Sequence, residues 1–497
     1  MDSYSGSPGS SSPIRTLPVE VLTEIFGYCS SKSPSSHAVT LTRPGELDVP
    51  IQAVSSTCSK WRSIVCTQST FWSSYDLNLT YITGPKIFDL LIMYIGRSGT
   101  AKLRLGIACP EMNADQGSET SQSSEDADLL PTRLAFLAVL LDNSSRWHDV
   151  FLDMSSSVFA YAVSRLELRG KPKEDGYFPN LEKLYCQDQE SEHYYLDGDP
   201  ETGRSLFDIF QPCPRLRDLT AHDSWVTDPI DYSHLTNLDL MFYRGRSLST
   251  LLSRCPNLKE FSLAYCSIPD EDDFDYDESA RVWSKNHPFS HRSLVTLILP
   301  MYEHFGCAIW EDLCFPSVNT LTIDQIGDDE AGMAELVDLV SRSRCNLRTM
   351  AIGKMPLGAL FKLLSIAPSL ERLKLARHYT VHAWETNPTT MFLPLFKKET
   401  QHLVPALSLQ IELGASSFVD RPATRDVPQH IHDMVVSRLG EVPTQLSFVV
   451  TALESKQTME LNFGFLFEFF GARFRDITQP LPYETYSLAL TLGGRGS

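Results

Sequence analysis

The apolar positions change their period along the chain. Near the N-terminus Val21, Leu22, Ile25, Phe26 and Cys29 recur at helical spacing and predict one apolar face. Pro18 suits the first helical position, where its missing N–H costs nothing. A second set, Ile51, Val54, Cys58, Trp61 and Val65, steps by three and four residues throughout and predicts a single amphipathic helix. Ser69-Thr70-Phe71-Trp72 opens a third short element, followed by Tyr75–Leu79. Residues 14–80 thus read as a compact helical block interrupted by a polar insertion, Ser30–Asp48. Such short helices carry more large apolar groups than they can bury among themselves. Either these groups form the ordinary core of a helical hairpin, or a helical partner covers the remainder.

From about Trp147 the pattern becomes Leu-x-x-Leu-x-Leu. It occurs at Leu181/Leu184, Leu216/Leu219, Leu235/Leu238/Leu240, Leu258/Phe261/Leu263, Leu294/Leu297/Leu299, Val318/Leu321/Ile323, Leu347/Met350/Ile352 and Leu370/Leu373/Leu375. A degenerate copy lies at Trp147/Val150/Leu152. The segments ahead of these strands agree more closely still. Leu206, Ile209, Phe210, Cys213, Pro214 and Leu216 keep the same offsets as Leu248, Leu251, Leu252, Cys255, Pro256 and Leu258, and as Leu360, Leu363, Leu364, Ala367, Pro368 and Leu370. Leu336, Leu339 and Val340 before Cys345 fit with two extra residues. Each unit is a helix, a proline that stops it, and a strand. One such unit cannot bury its apolar face alone, so the expected fold is α/β, a leucine-rich-repeat-like solenoid over 146–413 after a small helical domain. Residues 81–145 are expected to connect the two, and 414–497 to cap the end, with strands at Leu446–Val450 and Met459–Phe463 and alternating aromatics from Phe463 to Phe470.

Composition adds limits. The chain has 497 residues, 42% of them hydrophobic, enough for a sizeable core. The net charge is −19. Three stretches, 111–128, 187–203 and 270–278, hold 19 acidic residues and no Lys or Arg, which accounts for the whole imbalance. The acidity therefore resides in loops added to an electrically balanced body. An acidic chain argues against nucleic acid as a partner. No apolar run approaches the ~20 residues of a spanning helix, so no membrane is expected. The Ser/Gly/Pro-rich residues 1–13 read as disordered and not as a signal peptide. Eleven cysteines without a C-x-x-C suit a reducing compartment, cytoplasmic or nuclear, and the repeat cysteines Cys213, Cys255 and Cys345 read as small buried apolar groups.

The N-terminal block carries a resemblance. Leu17-Pro18-Val19-Glu20-Val21-Leu22-Thr23-Glu24-Ile25-Phe26, then Val54-x3-Cys58-x2-Trp61-Arg62, then Phe71-Trp72, resembles an F-box over residues 15–77. The insertion between Cys29 and Ile51 resembles the longer loop of fungal members. The repeats resemble the irregular leucine-rich repeats that follow F-boxes. The resemblance implies a non-catalytic substrate-recognition adaptor that binds a Skp-type adaptor and, through it, a cullin–RING ubiquitin ligase. It implies that Leu17 and Pro18 insert into that adaptor, while Leu22, Ile25, Val54 and Trp61 hold or extend the surface. An interaction scaffold working outside ubiquitin transfer has the same sequence features.

Enzyme chemistry finds little support. There is no Gly-rich phosphate loop, G-x-S-x-G elbow or H-E-x-x-H. His430 and His432 form an isolated pair, so no metal or cofactor is expected. The run Asp270, Glu271, Asp272, Asp273, Asp275, Asp277, Glu278 lacks the glycine and ligand spacing of a calcium loop. It reads as a solvated loop or a contact for a partner with a basic segment.

Overall fold

The computed structural model describes residues 14, 17–30, 38–109, 125–154, 156–168, 176–187, 210, 212–225, 230–244, 248–267, 288–302, 310, 312–326, 330–354, 357–375, 408–414, 446–452, 474–476 and 486–492. The chain divides into two compact units. One comprises residues 1–223 with 227–234, the other 224–226 with 235–497.

The first unit opens with helix α1 (Val19–Ser30). Strands β1 (Val39–Arg43) and β2 (Glu46–Asp48) follow as an antiparallel pair. Gly45 adopts the left-handed conformation in the turn between them, as its missing side chain permits. The segment read as a polar insertion therefore carries a strand that buries Val39 and Leu41. The signals were the alternation Val39-Thr40-Leu41 and the turn-forming Pro44-Gly45 pair.

Helices α2 (Pro50–Ser55) and α3 (Ser59–Thr67) replace the single helix that the spacing predicts. Cys58 is extended and breaks the run. The hydroxyls of Ser55 and Ser56 donate to the Gln52 carbonyl and that of Thr57 to the Ala53 carbonyl. Such local bonds compete with continued helix, which an apolar period of three and four does not register.

Strand β3 (Ser74–Asn78) then pairs in parallel with β1. Helix α4 (Pro85–Arg97), β4 (Leu103–Cys109), α5 (Glu125–Asp142), β5 (Trp147–Met154), α6 (Ser156–Leu168), β6 (Lys183–Gln187) and β7 (Asp218–Trp225) continue the alternation. From β3 to β7 every neighbouring pair is parallel, and the buried positions align as Tyr75, Leu105, Val150, Leu184 and Leu219. The parallel sheet thus reaches further toward the N-terminus than the repeat spacing predicts. Residues 81–145 supply one of its strands, because β4 buries Leu103, Leu105 and Ile107 by simple alternation. Trp147 of β5, Phe178 and Phe210 follow one another in a buried row, neighbouring ring centroids 4.9 Å apart and their planes tilted.

The second unit holds β8 (Asn237–Arg244), α7 (Leu248–Ser253), β9 (Glu260–Ser267), β10 (Phe289–Ser290), β11 (Thr296–Tyr302), β12 (Leu313–Cys314), β13 (Thr320–Ile326), α8 (Glu330–Ser343), β14 (Thr349–Lys354), α9 (Leu357–Ile366) and β15 (Arg372–Leu375). It ends with β16 (Ser408–Gly414), β17 (Leu446–Ala452), β18 (Phe474–Asp476) and β19 (Tyr486–Leu492). Strands β8, β9, β11, β13, β14, β15, β16 and β17 form one parallel array. Leu299, Ile323, Ile352, Leu375, Ile411 and Phe448 stand at one register position across six of them. From Leu235 onward, the second and third apolar positions of the Leu-x-x-Leu-x-Leu segments lie in β8, β9, β11, β13, β14 and β15, and the first lies just ahead of each. Strand β19 ends the array by pairing antiparallel with both β17 and β18.

One turn recurs ahead of the strands. The N–H of Leu258 donates to the Cys255 carbonyl, that of Leu216 to Cys213 and that of Leu370 to Ala367, at 3.0–3.2 Å. The next N–H reaches the residue just ahead of the preceding strand: Val295 to Lys259, Asn319 to Val295, Arg348 to Asn319 and Glu371 to Arg348, at 2.8–3.0 Å. Corner polar groups are therefore paired from one strand corner to the next instead of being left buried and unsatisfied. At these corners Cys213 and Cys255 are buried and Cys345 half-buried. Desolvation pushes the thiols of Cys213 and Cys255 up to about 12 and that of Cys345 up to about 11, so they pack as apolar groups. Among the described residues no helix is long and apolar enough to cross a membrane.

Candidate functional site

The residues singled out at the N-terminus converge on α1. Its first intrahelical bond runs from the Leu22 N–H to the Pro18 carbonyl at 3.1 Å, and Lys60 Nζ donates to the Leu17 carbonyl at 3.3 Å. The lysine thus ties the segment ahead of α1 to α3, and Pro18 stands exposed at the helix entrance.

The apolar face of α1 is two stripes, not one. Leu22 and Phe26 are buried, and the Phe26 ring packs against Trp61 of α3 at 4.9 Å. Pro18, Val21, Ile25 and Tyr28 recur at steps of three and four on another face, with Val21 42%, Ile25 37% and Tyr28 81% exposed. An exposed stripe of this length on a short helix leaves apolar area that folding of this unit does not cover.

Helices α2 and α3, which pack on α1, rest on a buried aromatic cluster. Trp72 is fully buried; its indole N–H donates to the Val65 carbonyl at 2.9 Å and its ring stacks on Tyr94 at 5.1 Å. The Arg97 guanidinium lies over the same indole, 4.7 Å from its centroid. Tyr94 in turn donates to Gln52 of α2 at 3.3 Å. Burial raises the Tyr75 and Tyr94 hydroxyls above the usual phenol range, so both stay neutral. Helices α2 and α3 are thereby fastened to the first strands of the sheet.

Of the six residues expected to form the surface, Leu17, Val54 and Trp61 are half-buried, Pro18 and Ile25 exposed, and Leu22 lies within the core. Leu17, Pro18, Leu22, Ile25 and Trp61 come together at α1 and α3, and Val54 sits on α2, which packs on α1. Val21 and Tyr28 are exposed members of the stripe that sequence reasoning did not separate. The steps of three and four from Pro18 were the available signal.

The expected acidic partner loop, Asp270–Glu278, lies outside the described residues, as do 111–124, 188–203, the His430/His432 pair, Met459–Phe463 and the aromatic run to Phe470. Residues 125–128 begin α5. Among the described residues no group of three or more His, Cys, Asp or Glu is placed to hold a metal ion.

No curated protein matches the chain. Residues 14–78, which span α1, the β1–β2 hairpin, α2, α3 and β3, match the F-box-like family. The boundaries coincide with the unit just described, from the residues ahead of α1 to the end of β3. The protein carries an F-box-like domain at residues 14–78.

Proposed function

We propose that this protein is the substrate-recognition adaptor of a Skp–cullin–F-box ubiquitin ligase. F-box domains bind Skp-type adaptors in cullin–RING ligases, and the reading is carried by one observation: the domain matched at 14–78 presents an uncovered apolar stripe, Pro18, Val21, Ile25 and Tyr28, beside Leu17. In this reading the adaptor covers that stripe. The parallel array that follows it in sequence is a leucine-rich-repeat-like solenoid, supported by its in-register leucines and its repeated corner turn. It holds a substrate protein. The chain itself transfers nothing. It raises the effective concentration of substrate lysines at the ubiquitin donor by holding both ends of the reaction in one complex.

The test is co-purification of the Skp-type adaptor and cullin with the full-length protein from cells, with a Leu17→Ala/Pro18→Ala variant alongside. The wild type is expected to bring both down and the variant neither. Failure of the wild type to retain the adaptor overturns the proposal. Retention of the adaptor without cullin, and without ubiquitination of any bound protein, replaces it by a scaffold outside ubiquitin transfer.

A further inference from the structure

The exposed face of the sheet in the first unit is arranged in rows. One row runs Arg104, Asp149, Lys183, Asp218 across strands β4 to β7, with alternating charge. Arg104 pairs with Asp149 at 3.3 Å and Lys183 with Asp218 at 2.9 Å. Both cations of this row are therefore engaged within the sheet.

The next row runs Asp76, Gly106, Phe151, Tyr185, Thr220 across β3 to β7. Phe151 and Tyr185 stack with centroids 4.4 Å apart and planes 15° apart, and Phe151 is 39% exposed at the centre of the face. Its sequence neighbours Val150 and Leu152 are buried, so Phe151 is not needed for the core. Gly106 separates Phe151 from Asp76. A Cβ at Gly106 would meet the Asp76 carboxylate oxygen at 3.0 Å, so that carboxylate leans over β4. This brings it within about one strand spacing, ~4.8 Å, of the Phe151 row position. Among the described residues no cation pairs with Asp76.

An aromatic face with a carboxylate at its edge is complementary to a flat cation that stacks and donates hydrogen bonds at once. Among the described residues of these two rows the carboxylates of Asp76, Asp149 and Asp218 also outnumber the cations Arg104 and Lys183, which favours a basic segment over an acidic one. We propose that Phe151, Tyr185 and Asp76 form a docking site for an arginine-bearing segment of a partner protein, the guanidinium stacked on Phe151 and hydrogen-bonded to Asp76. This deepens the reading of the chain as a recruiter of substrate proteins and rests on it.

The experiment uses the full-length chain co-purified with its Skp-type adaptor, and a fluorescein-labelled Gly/Ser peptide carrying two arginines, read by anisotropy. A second peptide carries citrulline in place of arginine and keeps the shape without the charge. The arginine peptide is expected to bind at least tenfold more tightly than the citrulline peptide. Asp76→Asn and Phe151→Ala are each expected to weaken it by about two- to thirtyfold, the range of a cation–aromatic contact. Phe151→Leu, checked by thermal midpoint, serves where Phe151→Ala does not fold. Equal binding of the two peptides overturns the proposal, as does wild-type affinity in Asp76→Asn and either Phe151 variant. Adaptor retention is read in the same preparations. A complex that keeps its adaptor but ignores the arginine peptide sinks the docking site alone, whereas loss of the adaptor sinks the ligase reading.

Discussion

At the scale of single residues, buried groups with specific partners decide what can be changed. Gly176 has a positive φ of 64°, and a Cβ there would be driven into the Pro212 backbone carbonyl. Backbone cannot swing away as a side chain does. Gly176→Ala is therefore expected to cost on the order of 1–3 kcal/mol, read as a lowered denaturant midpoint. His291 offers a pH test. It is buried, its Nε2 lies 2.8 Å from the Cys255 carbonyl, and its Nδ1 finds no hydrogen-bond partner. Desolvation holds its pKa below the ordinary 6.5. Below that value the unfolded chain binds more protons than the folded one, so stability falls as pH drops from about 6.5. His291→Gln keeps a donor for the carbonyl and removes the titration. The midpoint of the variant is expected to vary less than that of the wild type between pH 7.5 and 5.

At the scale of elements, α1 separates two kinds of apolar residue that look alike in sequence. Leu22→Ala removes a fully buried side chain and is expected to cost about 2–5 kcal/mol. Ile25→Asp alters an exposed position one turn away. It is expected to leave the unfolding midpoint nearly unchanged while abolishing co-purification of the Skp-type adaptor. A midpoint falling as far in Ile25→Asp as in Leu22→Ala would place Ile25 in the core instead. The helix itself was legible, because Pro18 and the apolar spacing agree. Its division into two stripes was not, since Val21 and Leu22 differ only in which side α3 and Trp61 occupy. The same limit applies to α2 and α3. Their apolar period reads straight through Cys58, and the break lies in serine and threonine hydroxyls that bond to the backbone.

At the scale of the whole molecule, the spacing of the leucines was the most legible feature. The offsets shared by Leu248–Leu258 and Leu360–Leu370 are those of a helix, corner and strand whose apolar residues are all buried at the same places. Charge belongs to this scale too. The three acidic stretches set the net charge of −19, and neutralising Asp270–Glu278 is expected to weaken capture of a basic substrate and to flatten its salt dependence. Capture that is unchanged and insensitive to salt would remove the loop from recognition. By itself the sequence determined the leucine periodicity, the three F-box-like segments and the location of the excess charge, because each depends on residues close together in the chain. Only the tertiary structure decided that β1, β3 and β4 join the parallel sheet, that Leu22 turns inward while Ile25 turns out, and that Asp76, Phe151 and Tyr185 share one row. Those facts depend on strand register and on which neighbour covers a face, and both are set by contacts between residues far apart in sequence.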